Sequence, residues 1–261
     1  MPARLAALLL TALLCGTAQG QALQIVGTDV PPLIYQHQGR VQGFCVDLVQ
    51  ALQQRLKDDA PIQLLPWPRV IAMAQASADV LLVCPKRTRE REDRFLWVGP
   101  LYTSRTFFYV RADSPVRLRS LEQARTLSGV LLPRASYSYE WLQAQGFDNL
   151  KPIGGTGINP LRMLIAGREP ALVLEDTQLQ ALLDDAGLPP SSVRPALLAL
   201  VADGYLAFTP STPQARVQAW QRQLNEMKQD GSFVALHQRW FGKRPGAELM
   251  QPGPPEPQRT R

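Results

Sequence analysis

The chain is poor in the residues that most enzymes work with. It has two histidines and three cysteines among 261 residues, and only 7% of it is aromatic. His37 and His237 are far apart and neither stands at metal-ligand spacing, so a zinc or other histidine-built centre is not expected. No nucleophile elbow or other hydrolase signature is present. Beyond the N-terminus no apolar run is long enough to cross a bilayer. No repeat of fixed period runs through the chain. The formal net charge of +6 is mild, and acidic residues are interspersed with the basic ones, which argues against nucleic acid as a partner.

The N-terminus carries one positive charge, Arg4, then the apolar run Leu5–Leu14, then Ala18-Gln19-Gly20. This pattern predicts a signal peptide over residues 1–20, with cleavage after Ala22 as the alternative. A lipoprotein signal needs a small residue before its cysteine, and Leu14 precedes Cys15. An exported, periplasmic protein follows. Its remaining cysteines, Cys45 and Cys84, are in an oxidising compartment that allows them to pair.

The periodicities read as alternating strands and helices. Leu23–Val26 is a strand, and Gly27-Thr28-Asp29 begins the loop that leaves it. Cys45, Leu48, Val49, Leu52 and Leu56 form one apolar stripe of a helix. Ile62–Leu65 is a second strand, Pro68 opens a second helix through Gln75, and Val80–Val83 is a third strand. Such an order predicts an open parallel α/β sheet with its ligand site at the carboxyl ends of the strands, where Asp29 and Cys84–Arg91 lie. Strands are further expected at Thr106–Arg111, Ser128–Leu132, Ala171–Leu174 and Tyr205–Phe208. Helices are expected at Leu118–Ala124, Tyr137–Gln145 and Pro160–Ala166, and two more close the fold around Gly231. From residue 243 to 261 the chain is rich in proline, glycine and charge and reads as a disordered tail.

The segment after the third strand holds Lys86, Arg87, Arg89, Arg91 and Arg94 among Glu90, Glu92 and Asp93. A cluster of guanidinium forks at a strand end suits a carboxylate. The alternative is a solvated turn paired within itself, since Glu90 and Arg94 stand at i,i+4 and Asp93 is also near Arg91. Lys86 reads as solvated. Trp67 reads as core filling or as a cleft wall, and Asp29 and Asp176 fit ordinary turn and helix-cap roles as well as ligand roles.

Several of these landmarks resemble one family in its order. Asp29 follows the first strand. Gly43-Phe44-Cys45-Val46-Asp47-Leu48 opens the first helix. Thr88-Arg89-Glu90-Arg91 is followed by Phe95-Leu96-Trp97-Val98-Gly99-Pro100. Gly167-Arg168 precedes Ala171–Asp176, and Asp230-Gly231-Ser232 precedes Trp240-Phe241-Gly242. The set is similar to periplasmic solute-binding proteins of the polar amino acid type, bacterial solute-binding protein family three, and to a branch of it whose ligands are poorly defined.

The resemblance implies a two-lobed α/β fold of the type II binding-protein kind, with open sheets of order 2-1-3 hinged by two strands. Lobe one is expected to take residues 21–109 and 205–242, and lobe two residues 110–204. It implies a monomer, with no cofactor and no catalysis, that closes on a small carboxylate-bearing solute, an amino acid or a relative. A membrane permease of an ABC transporter, or a membrane receptor, would be its partner; a dehydratase-like enzyme on the same fold is the remaining alternative.

Residue by residue, the resemblance makes Arg91 the clamp on the solute's carboxylate and Thr88 its neighbour in that turn. It makes Asp176 the acceptor for the ammonium, Asp29 a first-lobe acid, and Ser138 a second-lobe contact. Lys86 stands where the family has a threonine and brings a cation toward the cleft. The family's aromatic platform is missing after Asp29, and Trp67, Tyr102 or Tyr137 would replace it. In a sheet of order 2-1-3, Cys45 and Cys84 lie at the same edge. A disulfide there is one expectation and two buried thiols are the other.

Overall fold

In the computed structural model, residues 22–155 and 157–252 are described. The expected signal peptide therefore lies outside the described residues. The first strand, β1 (Gln24–Gly27), leads through a loop into the hairpin β2 (Tyr35–His37) and β3 (Arg40–Gln42), which turns at Gln38-Gly39. Helix α1 (Phe44–Leu56) follows Gly43, whose φ of 132° and close approach to the Leu33 carbonyl leave no room for a Cβ. Cys45, Leu48, Val49 and Leu52 of the α1 stripe are fully buried. Then come β4 (Ile62–Leu64), α2 (Trp67–Ala76) and β5 (Val80–Leu82).

The long strand β6 (Leu96–Arg111) carries the chain out of this first unit. The second unit comprises α3 (Leu121–Arg125), β7 (Val130–Pro133), α4 (Tyr137–Ala144), β8 (Leu150–Ile153), α5 (Ile158–Ile165), β9 (Ala171–Glu175) and α6 (Asp176–Asp185). A second long strand, β10 (Val193–Phe208), returns to the first unit. There α7 (Gln214–Gln229), α8 (Ser232–Phe241) and α9 (Ala247–Met250) complete it.

One curled sheet runs β4-β1-β5-β10-β6-β9-β7-β8. Its first three strands are parallel with β1 between β4 and β5, and its last three are parallel with β7 between β8 and β9. Both ends thus have the expected 2-1-3 order. Between them β6 and β10 pair antiparallel along most of their length. Each has 16 residues, about 50 Å of extended chain, enough to run through both lobes.

Each lobe has a core on both faces of its sheet. In the first lobe Ile25, Leu81 and Phe208 pack under α1, α7 and α8, while Val26, Val80 and Leu82 pack on the side of α2. In the second, Val130, Leu132 and Val173 face one way and Leu131, Leu172 and Leu174 the other. Strands covered on both faces are apolar at every position, which is why they read as continuous runs and not as alternations.

Three expectations need correction. The crossing strands are far longer than the Thr106–Arg111 and Tyr205–Phe208 segments expected, because polar residues at Thr103, Ser104, Arg105 and Asp203 interrupt the apolar pattern where the strands leave a core. β8 was not expected at all, since Lys151 and Pro152 break its pattern at the sheet edge. The stretch 243–261 was expected to be a disordered tail, yet α9 lies within it. Leu249 is buried against the first-lobe core, and Lys228 Nζ donates to the Gln251 carbonyl at 2.9 Å. Residues 253–261 lie outside the described residues.

Candidate functional site

The turn leaving β5 is anchored from two sides. Cys45 and Cys84 are joined by a disulfide with Cα atoms 6.3 Å apart, tying the turn to the start of α1. The next residues lie along β10: Tyr205 N donates to the Pro85 carbonyl at 3.0 Å, Arg87 N donates to the Asp203 carbonyl at 3.1 Å, and Lys86 forms a bridge to Gly204. Gly204 is required here because the Tyr102 ring lies where its Cβ would be. The Lys86 side chain therefore runs over that ring, with Nζ 3.9 Å from the centroid.

Lys86 is not solvated, contrary to expectation. It is 3% exposed and its ammonium sits 3.1 Å from Glu175 Oε2 at the end of β9, close as an ion pair but outside hydrogen-bond alignment. Burial lowers the Lys86 pKa, and the carboxylate of Glu175 opposes that shift. Around this pair, the hydroxyls of Tyr137 and Thr106 are hydrogen-bonded, and Thr177 Oγ1 donates to Glu175 Oε2 at 3.3 Å. Burial also pushes the Tyr102 and Tyr137 hydroxyls well above the usual phenol range, so both stay protonated.

After Lys86 the chain winds into a short 3-10 turn, Arg89–Arg94. Arg87 is held outside it by a bidentate pair with Glu92. Arg91 points inward and is 3% exposed. Its backbone N donates to the Thr88 carbonyl at 3.0 Å, and its guanidinium lies 5.2 Å from the Trp67 ring centroid. Neither Glu90 nor Asp93 is its partner. Arg91 Nε and Nη2 each donate at 2.9 Å to the two carboxylate oxygens of Glu140, on α4 of the other lobe. Arg94 Nη1 stands 3.5 Å from the same carboxylate.

Trp67 lies at the boundary between the lobes. It packs against the apolar cluster under α2, and its Nε1 donates at 2.7 Å to the Ala135 carbonyl across the cleft. The β7–α4 turn that presents Ala135 also positions Ser138, which is buried with its hydroxyl 2.9 Å from that of Ser136. Ser136 in turn caps α4 by accepting from Tyr139 N.

The remaining candidates lie further out. Asp176, at the start of α6, is exposed and accepts from Arg105 N at 3.1 Å. Its neighbour Glu175 is the second-lobe acid that is buried at the cleft. Asp29 is exposed in the loop after β1, with its pKa raised by partial burial. Thr88 Oγ1 is buried without a hydrogen-bond partner. Beside the turn and the crossing strands is a cavity of about 350 Å³, lined by Arg87, Thr88, Arg89, Glu92, Asp203 and Tyr205 among others.

Arg91, Lys86, Trp67 and Thr88 are thus gathered at the face of the first lobe, with Ser138, Glu140 and Glu175 opposite. Glu140 and Glu175 were missed. Glu175 stands at the end of a strand, where the resemblance points to the acid after it, Asp176. Glu140 had no local signal beyond its place in the first turn of a helix. Chemically, a guanidinium fork such as that of Arg91 can pair with a carboxylate, as it does with Glu140, and a buried acid such as Glu175 can pair with an ammonium group, as it does with Lys86.

Residues 24–243 match the family model for bacterial extracellular solute-binding proteins, family 3. No curated protein matches the sequence. Among solved structures, the chain is similar to a histidine kinase sensor domain described as resembling periplasmic binding proteins, with a TM-score of 0.76 at 20% identity, covering 86% of this chain and 98% of that one. It is also similar to a mutant of ArgBP from T. maritima, with a TM-score of 0.72 at 19% identity over 85% and 96% of the two chains. A third is ArtJ, the arginine-, lysine- and histidine-binding protein of Geobacillus stearothermophilus, with a TM-score of 0.72 at 18% identity over 87% and 99%. At such identities the likeness establishes the fold, which in these neighbours is the two-lobed one.

Proposed function

Given that the chain belongs to the bacterial extracellular solute-binding proteins, family 3, we propose that it captures a small carboxylate-bearing solute, an amino acid or a relative, between its lobes. The observation that carries this reading is Arg91: a buried guanidinium whose fork is already aligned, at 2.9 Å on both arms, with a carboxylate reaching from the opposite lobe. A solute's carboxylate takes that fork. Thr88 and Ser138 supply hydroxyls near it, and Trp67 walls the site. Lys86 lies on its floor; Glu175, with Asp176 and Asp29 at the rim, offers acids to a solute's ammonium.

The protein works outside the cytoplasm, in the periplasm, and delivers its solute to an ABC permease. Its likeness to the histidine kinase sensor domain favours a second reading, in which the closed form is presented to a membrane receptor. A thermal-shift screen against amino acids, opines, polyamines and dicarboxylates tests the binding role, because a solute selective for the folded protein raises its melting temperature. At least one carboxylate-bearing hit, confirmed by calorimetry, is expected. A panel without hits overturns the carboxylate reading.

A further inference from the structure

The cleft is bridged by the protein's own groups. Trp67 donates to Ala135, Lys86 pairs with Glu175, and Arg91 pairs with Glu140, each joining one lobe to the other. We propose that Glu140 is a tethered stand-in for the solute's carboxylate: it occupies the Arg91 fork, holds the lobes together without solute, and has to leave before an external carboxylate enters. The last step rests on the reading of Arg91 as the solute anchor; the first two do not.

The pair is asymmetric in a way that identifies the exchangeable partner. Arg91 is 3% exposed, fixed by its turn and set against Trp67, whereas the Glu140 side chain is 26% exposed on the surface of α4. Swinging Glu140 aside returns a carboxylate to water. Arg91 stays where its turn and Trp67 hold it, and once Glu140 has left it is a buried cation that needs another anion in the fork. Arg94, 40% exposed at the rim, stands beside Glu140 and is placed to receive it as it leaves.

A tethered group competes at an effective concentration on the order of millimolar or more, fixed by geometry and not by supply. A carboxylate with nothing else to offer does not displace it. Only a solute that adds contacts elsewhere in the cleft wins the fork, so Glu140 sets a threshold that excludes simple monocarboxylates. Removing it should admit them.

The test is chemical rescue. Glu140→Ala opens a space for a free carboxylate, and sodium acetate is the probe. Acetate is expected to raise the melting temperature of Glu140→Ala above a sodium chloride control of equal ionic strength. It should leave the wild type unmoved, and Arg91→Ala/Glu140→Ala should lose the response. Solution scattering without solute should show the wild type compact, Glu140→Ala expanded, and acetate contracting the variant again. If Glu140→Ala does not fold, the isosteric Glu140→Gln replaces it in the scattering experiment.

An expanded solute-free wild type, a variant as compact as the wild type, or equal stabilisation of both by acetate overturns the proposal. Acetate rescue together with an empty solute screen would remove the carboxylate reading of the function and leave the latch standing. Solute hits without rescue would do the reverse.

Discussion

Lys86 and Glu175 meet across the cleft with 3.1 Å between ammonium and carboxylate, the one 3% and the other 9% exposed. So little water reaches them that each is tolerable only because of the other. Glu175→Leu alone strands the ammonium over the Tyr102 ring and is expected to cost roughly 3–5 kcal/mol. Lys86→Met/Glu175→Leu removes both charges and is expected to recover most of that loss. Urea unfolding of the two single variants and the double variant measures the coupling. Additive losses would mean that the pair does not act as a unit.

Arg91 should tolerate no substitute in solute binding. Truncation to alanine leaves a bound carboxylate unpaired and is expected to weaken affinity for a confirmed solute by roughly 2–5 kcal/mol. Arg91→Lys should fail almost as badly, because a point charge does not reproduce the fork. Arg89 is exposed two residues away, and Arg89→Ala is expected to bind nearly as the wild type does. Calorimetry on the three variants, with folding checked by circular dichroism, decides the point; tight binding by folded Arg91→Ala would remove it from the site.

The Cys45–Cys84 bridge closes a loop with a sequence separation of 39 residues. Chain-entropy arguments give a loop of that size about 4 kcal/mol of stabilisation. Native protein alkylated without reductant should show neither Cys45 nor Cys84 modified by intact mass. Reductant should then lower the urea midpoint. Two alkylated thiols in the unreduced protein would refute the bridge.

His237 makes the first lobe sensitive to acid. Its Nε2–H donates to the Leu101 carbonyl at 2.9 Å and its Nδ1 is buried without a partner, the pattern of a neutral ring. Burial holds its pKa below the usual 6.5. The unfolded chain therefore binds a proton before the folded one does, and stability falls as pH drops from about 6.5 toward the depressed folded value. His237→Gln, which retains a donor without titrating, should flatten that slope between pH 7 and 5. An unchanged slope of unfolding midpoint against pH would show that other groups are responsible.

Much of this architecture could be read along the chain. The stripe of α1 and the apolar runs of β1, β5, β7 and β9 name their elements because burial selects residues by period, locally. The cysteines could be placed at one sheet edge, although whether they bonded could not. The crossing strands were read short because a ribbon between two cores leaves the hydrophobic environment midway, and the apolar pattern stops there while the hydrogen-bonded pairing continues.

By itself, the sequence determined most of the order of strands and helices, the place of the arginine-rich turn after the third strand, and which residue types were available there. Only the tertiary structure decided the pairings. Arg91 had Glu90, Glu92 and Asp93 beside it, yet its partner is 49 positions away, because the turn aims its fork across the cleft and not along the chain. Between Glu175 and Asp176 the choice fell to where the strand ends. Glu175 is the last residue of β9, paired with Thr106 and turned toward Lys86, whereas Asp176 already begins α6 and is left in solvent.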